Sequence, residues 1–139
     1  MDLHTDAGRL VQDVFDRVAA GDVTALSAAM SDDVRWVFPG TWSWAGTWSG
    51  KRQVVHGLLR PLMAQFASYC LDGRVLIADG DRVAVSAQAA ATTVRGQDYP
   101  QLYLFLMRVQ DGHITEIVEH CDTALVERVL TPLSPPAAA

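Results

Sequence analysis

Charge is scarce in this chain. Only 19% of its 139 residues are Asp, Glu, Lys or Arg, and the 11 basic residues are outnumbered by 16 acidic ones. The resulting net charge of -5 provides no basic face to exchange for the counterions of a phosphate backbone, which excludes nucleic acid as a partner. Long apolar runs are missing as well. The longest, Leu102 to Met107, is far too short to span a bilayer, and Met1-Asp2-Leu3-His4 does not open a secretory signal, so the reading is a cytoplasmic protein without membrane contact. There are only two cysteines, Cys70 and Cys121, in no C-x-x-C pattern, and they read as small buried hydrophobes of a reducing compartment.

Motifs for cofactors and metals fail on inspection. Gly46-Thr47-Trp48-Ser49-Gly50-Lys51 resembles a phosphate loop, but that motif needs one more residue between its glycines and Ser or Thr after Lys, where this chain has Arg52. His120, Cys121 and Asp122 are metal-binding types, yet neighbours on a strand point to opposite faces and cannot all reach one ion. No serine or cysteine lies in a nucleophile elbow. The expectation is therefore no metal and no cofactor.

What the chain has in quantity is apolar residues, half of the total, enough for one substantial core. One domain over 1–131 is expected, followed by a loose tail at 132–139. Apolar residues recur at helical spacing from Thr5 to Ala20, and Asp22 can cap a second short helix through Met30. The period then changes. Val34, Trp36 and Phe38 alternate along a short strand that ends at Pro39-Gly40, and Gly40 to Gly50, with three tryptophans, suits a loop laid over an apolar opening. A helix from Lys51 to about Ser68 is kinked by Pro61.

Four extended runs follow: Gly73–Ala78, Arg82–Val94, Tyr99–Gln110 and His113 to about His120. The turn signals Asp79-Gly80, Arg95-Gly96 and Asp111-Gly112 separate them, which predicts an antiparallel meander. A brief helix over Asp122 to Leu130 ends the domain. Helices followed by long strands give an α+β fold, in which a curved antiparallel sheet packs on three helices of the N-terminal half. If the concave interior is not filled by side chains, it is a pocket for a small apolar molecule. Alternation assigns Ala84, Ser86, Gln88, Ala90 and Thr92 to one face, read as the roomy lining. It places Tyr103, Phe105 and Met107 together on the next strand, and Thr115, Ile117 and Glu119 on the last.

Chemistry concentrates at the end of that last strand, in Glu119-His120-Cys121-Asp122. A carboxylate half buried at a pocket mouth has its pKa raised and can exchange protons near neutrality. The plainer alternatives are that Asp122 caps the terminal helix and that Glu119 or His120 points to solvent or to a second subunit. Among the tryptophans, Trp42 and Trp44 are the candidates for covering a ligand. Tyr99 and Tyr103 can offer hydroxyls.

Taken in order, Ala20 to Asp22, Asp32-Asp33-Val34, Phe38-Pro39-Gly40, Ala45-Gly46-Thr47, Gly50-Lys51, Arg108 to Ile114 and Glu119 to Thr123 resemble the SnoaL-like branch of the nuclear transport factor two superfamily. The resemblance covers about Leu10 to Leu130. It implies a cone-shaped, cystatin-like fold, commonly a homodimer, in a superfamily that holds ketosteroid isomerases, limonene epoxide hydrolases, polyketide cyclases and non-catalytic binders, so fold alone does not assign function.

Carried over by position, the ketosteroid isomerase base falls on Phe38 and its oxyanion donors on Val14 and about Phe105, which removes that chemistry. The epoxide hydrolase triad falls on Ser86, Gln88 and Glu119, and the residues that hold its water on Trp36 and Phe38. The acid-base aspartate of SnoaL-type cyclases matches Asp122. The reading is thus a cofactor-independent cyclase or isomerase acting on an apolar, polyketide-like intermediate. Asp122 or Glu119 is its acid-base group, and Trp36, Phe38, Trp42, Trp44, Gln88, Tyr103, Phe105 and His120 bind substrate. The alternative is a binding or sensing module with structural carboxylates, and a dimerisation scaffold with a filled core is a third reading.

Overall fold

The computed structural model describes residues 5–133. Helix α1 (Asp6–Ala19) starts where Thr5 Oγ1 accepts a hydrogen bond from the Gly8 amide at 2.9 Å, and a short α2 (Ala25–Ala29) follows. Strand β1 (Met30–Phe38) buries Val34, Trp36 and Phe38, as their alternation predicts. The segment read as an open loop contains a short strand, β2 (Gly46–Ser49), which pairs antiparallel with β1 and buries Trp48. The glycines and tryptophans around it concealed four extended residues.

The third helical segment ends earlier than predicted. It consists of α3 (Lys51–Gln53), a π-helical stretch over Val54–Leu59 and α4 (Arg60–Met63). The wide turn, in which the Arg60 amide donates to Val55 O, comes just before Pro61, which has no N–H to continue the ladder. Strand β3 (Phe66–Asp79) therefore begins seven residues ahead of Gly73, the start expected from sequence.

The meander continues through β4 (Arg82–Thr93), β5 (Leu102–Gln110) and β6 (His113–Cys121), and α5 (Thr123–Val129) closes the described chain. The sheet order is β2-β1-β6-β5-β4-β3, antiparallel except for β1 beside β6, which run parallel. The predicted α+β cone is thus the observed fold. Among the described residues no helix is long and apolar enough to cross a membrane. Of the expected tail, Leu133 packs against the core, and 134–139 lie outside the described residues.

Helix α1 closes one side of the cone over β3. Gly73 makes this approach possible, since a Cβ there would stand 2.3 Å from the Phe15 ring, which in turn packs on Phe105 at 5.8 Å between centroids. Gln12 of α1 donates to Gly73 O and accepts from the Val75 amide, so the exposed edge of β3 finds its backbone partners in a helix side chain.

Two sequence expectations about burial are overturned. On β4 the inward residues are Val83, Val85, Ala87, Ala89, Ala91 and Thr93, so the face carrying Ala84, Ser86, Gln88, Ala90 and Thr92 lies outside. Both faces of this strand are built of small residues, and the one with polar side chains went to solvent. Cys70, expected in the core, is exposed on β3, and Cys121 is only half buried; both are free thiols.

Candidate functional site

The interior of the cone is aromatic. Trp36 meets Phe105 edge-on at 6.2 Å, Tyr103 stacks on Phe105 at 5.0 Å, and Phe38 receives the edges of Trp42 at 5.9 Å and Trp44 at 6.3 Å. Trp42 and Trp44 belong to the turn between β1 and β2. Trp42 Nε1 donates to Pro39 O at 2.9 Å, which folds the turn back over Phe38. The Ser43 amide and hydroxyl both donate to Glu127 Oε1, at 3.0 and 2.8 Å, and hold that exposed carboxyl below its usual range. The tryptophan turn is thereby latched to α5.

Into this surrounding β6 projects Glu119. Opposite Arg108 and Val109 of β5, strand β6 carries one extra residue, Thr115, which brings Ile114 onto the inner face; beyond it plain alternation carries Ile117 and Glu119 inward, while Thr115 is only half buried. The carboxyl is 9% exposed and faces Phe105 across the strand pair. Burial raises its pKa from 4.5 to about 7, because the anion loses water that the aromatic walls do not replace. The Cys121 thiol and the Trp36 indole lie beside the carboxyl and partly oppose the rise, although neither meets it in good hydrogen-bond geometry. Trp36 Nε1 is left as a buried donor without a partner, and so is Trp44 Nε1.

Asp122, the residue matched to the cyclase aspartate, is the N-cap of α5. Its side chain accepts from the Leu125 amide at 3.2 Å and is exposed. This is the capping alternative that the sequence allowed. Gln88 and His120 leave the site altogether. Gln88 lies on the outer face between Asp72 and Leu102, and His120 lies on the same face opposite Leu104. An odd–even step separates His120 from Glu119, so when one enters the cone the other must leave it.

The structure thus brings together Glu119, Trp36, Phe38, Phe105, Tyr103, Trp42 and Trp44, and excludes Gln88, His120 and the Asp122 carboxylate. Two residues absent from the sequence reading join the site. Tyr69, from the stretch of β3 between the expected helix and the expected strand, places its hydroxyl 2.8 Å from that of Tyr103. Gln101 is fully buried and staples the strand end, accepting from the Leu102 and Asp122 amides and donating to Asp122 O and the Tyr99 hydroxyl. A glutamine after a proline carries no sequence signal for such a role.

Two open depressions, of about 330 and 410 Å³, lie elsewhere: one between α1 and the turns of β3–β4 and β5–β6, the other over Ser68, Ala90 and Pro100. Neither touches Glu119, whose surroundings are packed side chains, and the buried carboxyl beside the unpartnered Trp36 indole is the better candidate on chemical grounds. Among the described residues no three His, Cys, Asp or Glu side chains gather as a metal-binding group.

Cone, helix order and strand order define a protein with the nuclear transport factor two-like fold. The SnoaL-like domain profile matches residues 11–117, and the chain belongs to that family. A protein of unknown function from Burkholderia pseudomallei with this fold superposes with a TM-score of 0.75 at 24% identity, covering 90% of this chain and 97% of its own. A putative SnoaL-like polyketide cyclase from Jannaschia gives 0.72 at 18%, covering 94% and 93%. TerC, co-crystallised with polyporic acid, gives 0.73 at 22%, covering 88% and 96%. No curated protein matches the sequence. The matched segment stops before Glu119, so the family assignment rests on the scaffold and the site on its own geometry.

Proposed function

We propose that this protein is a cofactor-independent cyclase or isomerase of the cytoplasm, which binds an apolar, polyketide-like intermediate in the cone and moves a proton with Glu119. The observation that carries this reading is the Glu119 carboxyl, buried among aromatic rings and raised to about 7, where both protonation states are populated at neutral pH. A putative polyketide cyclase and a protein crystallised with polyporic acid among the structural neighbours are consistent with such a ligand. Asp122 shapes the turn that ends β6, and the aromatic walls hold the substrate in a reactive conformer.

The test is incubation with a panel of apolar polyketones, followed by mass spectrometry and NMR. The expected result is a product of equal mass whose formation falls about hundredfold or more in Glu119→Gln and stays within a few-fold in Asp122→Ala. The second reading, a binding or sensing module, is favoured by the loss of Asp122 to a helix cap. A ligand that is bound and recovered unchanged would establish it.

The quaternary proposal is a homodimer through the outer sheet face. Leu102, Leu104 and Leu106 stand exposed there in a row, with Leu106 beside Val118 and Ala84. A second copy presenting the same leucines is the partner that fits this face.

A further inference from the structure

We infer that α5 is a lid over the mouth of the cone, hinged at Asp122 and closed by two polar latches, which swings out to admit a ligand. The inference rests on the reading that the ligand site surrounds Glu119, and it supplies the way in.

Side chains fill the space around Glu119, so one wall of the cone has to move before a ligand can enter. The wall formed by α1 is fixed. It commits Val11 and Phe15 to the main core, and the helical segment over 51–63 commits Val54 and Leu58, all of them fully or almost fully buried. α5 stands apart from that core. Its buried residues, Leu125, Val126 and Leu130, form a smaller cluster with Ala91 and Tyr99, and the half-buried Trp42 and Trp44 pack against both clusters. Cys121, beside Glu119, packs on the smaller cluster, so the seam between the two leads to the carboxyl.

The fastenings of α5 divide into a hinge and two latches. Gln101, fully buried, accepts from the Asp122 amide and donates to Asp122 O, which fixes the chain up to the residue where the helix begins. At the far end the Gln65 side chain donates to Thr131 O at 2.9 Å and accepts from the Thr131 amide at 2.8 Å, and Arg95 donates to the Thr131 hydroxyl at 2.6 Å. Between them Glu127 takes the two Ser43 bonds that tie the tryptophan turn to the helix. The hinge residue is buried and the latches are exposed. Water replaces a surface hydrogen bond at little cost, whereas a broken bond to Gln101 orphans buried groups, so the latches release while the hinge holds. Exposing Leu125, Val126 and Leu130 keeps the open form a minor population.

The Trp36 indole N–H reports on this opening without any ligand. It is buried beside Glu119 with no acceptor among the described residues, so its hydrogen exchanges with D2O when water enters the cone. NMR follows this N–H together with the slowest backbone amides of β4 and β5, which exchange through global unfolding. Glu127→Ala and Gln65→Ala each remove one latch and should speed the indole exchange roughly three- to tenfold, and the double variant should speed it further. Thr5→Ala is the control, because it removes the cap of α1 and leaves the latches intact. It should speed the slow sheet amides about fivefold and leave the indole rate unchanged. An indole rate unmoved by loss of both latches overturns the lid, as does one that rises with the sheet amides in Thr5→Ala. Turnover of Glu119→Gln, measured separately, decides the acid-base reading, so the two can fail apart.

Discussion

Replacing Glu119 by Gln tests the site without any knowledge of its substrate. In the folded protein the carboxyl is raised from 4.5 to about 7, chiefly by burial. Between those values the unfolded chain releases a proton that the native state retains, so stability falls as pH rises. The contribution is fully present below pH 4.5 and gone above about pH 7. The shift corresponds to about 3 kcal/mol at 1.36 kcal/mol per unit. Glutamine has the shape of the protonated acid and does not titrate. Urea denaturation of both proteins at pH 4.5 and pH 8 should show the variant gaining about 3 kcal/mol on wild type between the two conditions, while the other titrating groups cancel in the difference. The same substitution should abolish turnover, so the variant becomes more stable and inactive at neutral pH. A stability difference that does not change with pH would refute the buried carboxyl, and with it the acid-base assignment.

Gly73→Ala places a methyl group against the Phe15 ring and should cost about 2 kcal/mol, read as a fall in Tm of roughly 5–10 °C. Gln101→Ala orphans buried groups at the β6–α5 junction and should cost roughly 2–4 kcal/mol, with loss of hydrogen-exchange protection at the Leu102 and Asp122 amides. Asp122→Ala removes a helix cap and should cost about 1 kcal/mol in the same denaturation assay. Leu104→Glu on the outer face should halve the mass measured by sedimentation equilibrium while the far-UV circular dichroism stays unchanged.

Much of the fold was legible because periodicity reports it directly. Thr5 and Gly21 bracket α1, Val34, Trp36 and Phe38 mark the inner face of β1, and the Asp-Gly turns delimit the late strands. The errors fall where one pattern serves two structures. β4 is apolar or small on both faces, so alternation found the faces but not which one turns inward. Residues 66–72 lie between the expected helix and the expected strand, and only pairing with β4 settles them as sheet, so Tyr69 was missed. At the candidate site the strand end was visible as a cluster of ionisable residues. The division of labour within it was not, because alternation puts Glu119 with Ile117 but does not say which of the carboxylates works, and a helix N-terminus claims Asp122.

The parallel pairing of β1 with β6 has a consequence for how the chain is made. Arg35 bonds Glu116 across a separation of 81 residues, so the strand synthesised early acquires its inner neighbour only when the last strand appears. Until then Val34, Trp36 and Phe38 have half a sheet to pack on, and one edge of β1 stays open to other chains. Folding must wait for the strand that carries Glu119. A ribosome stalled before His113, or a truncation there, should therefore yield an aggregation-prone intermediate and no smaller stable domain.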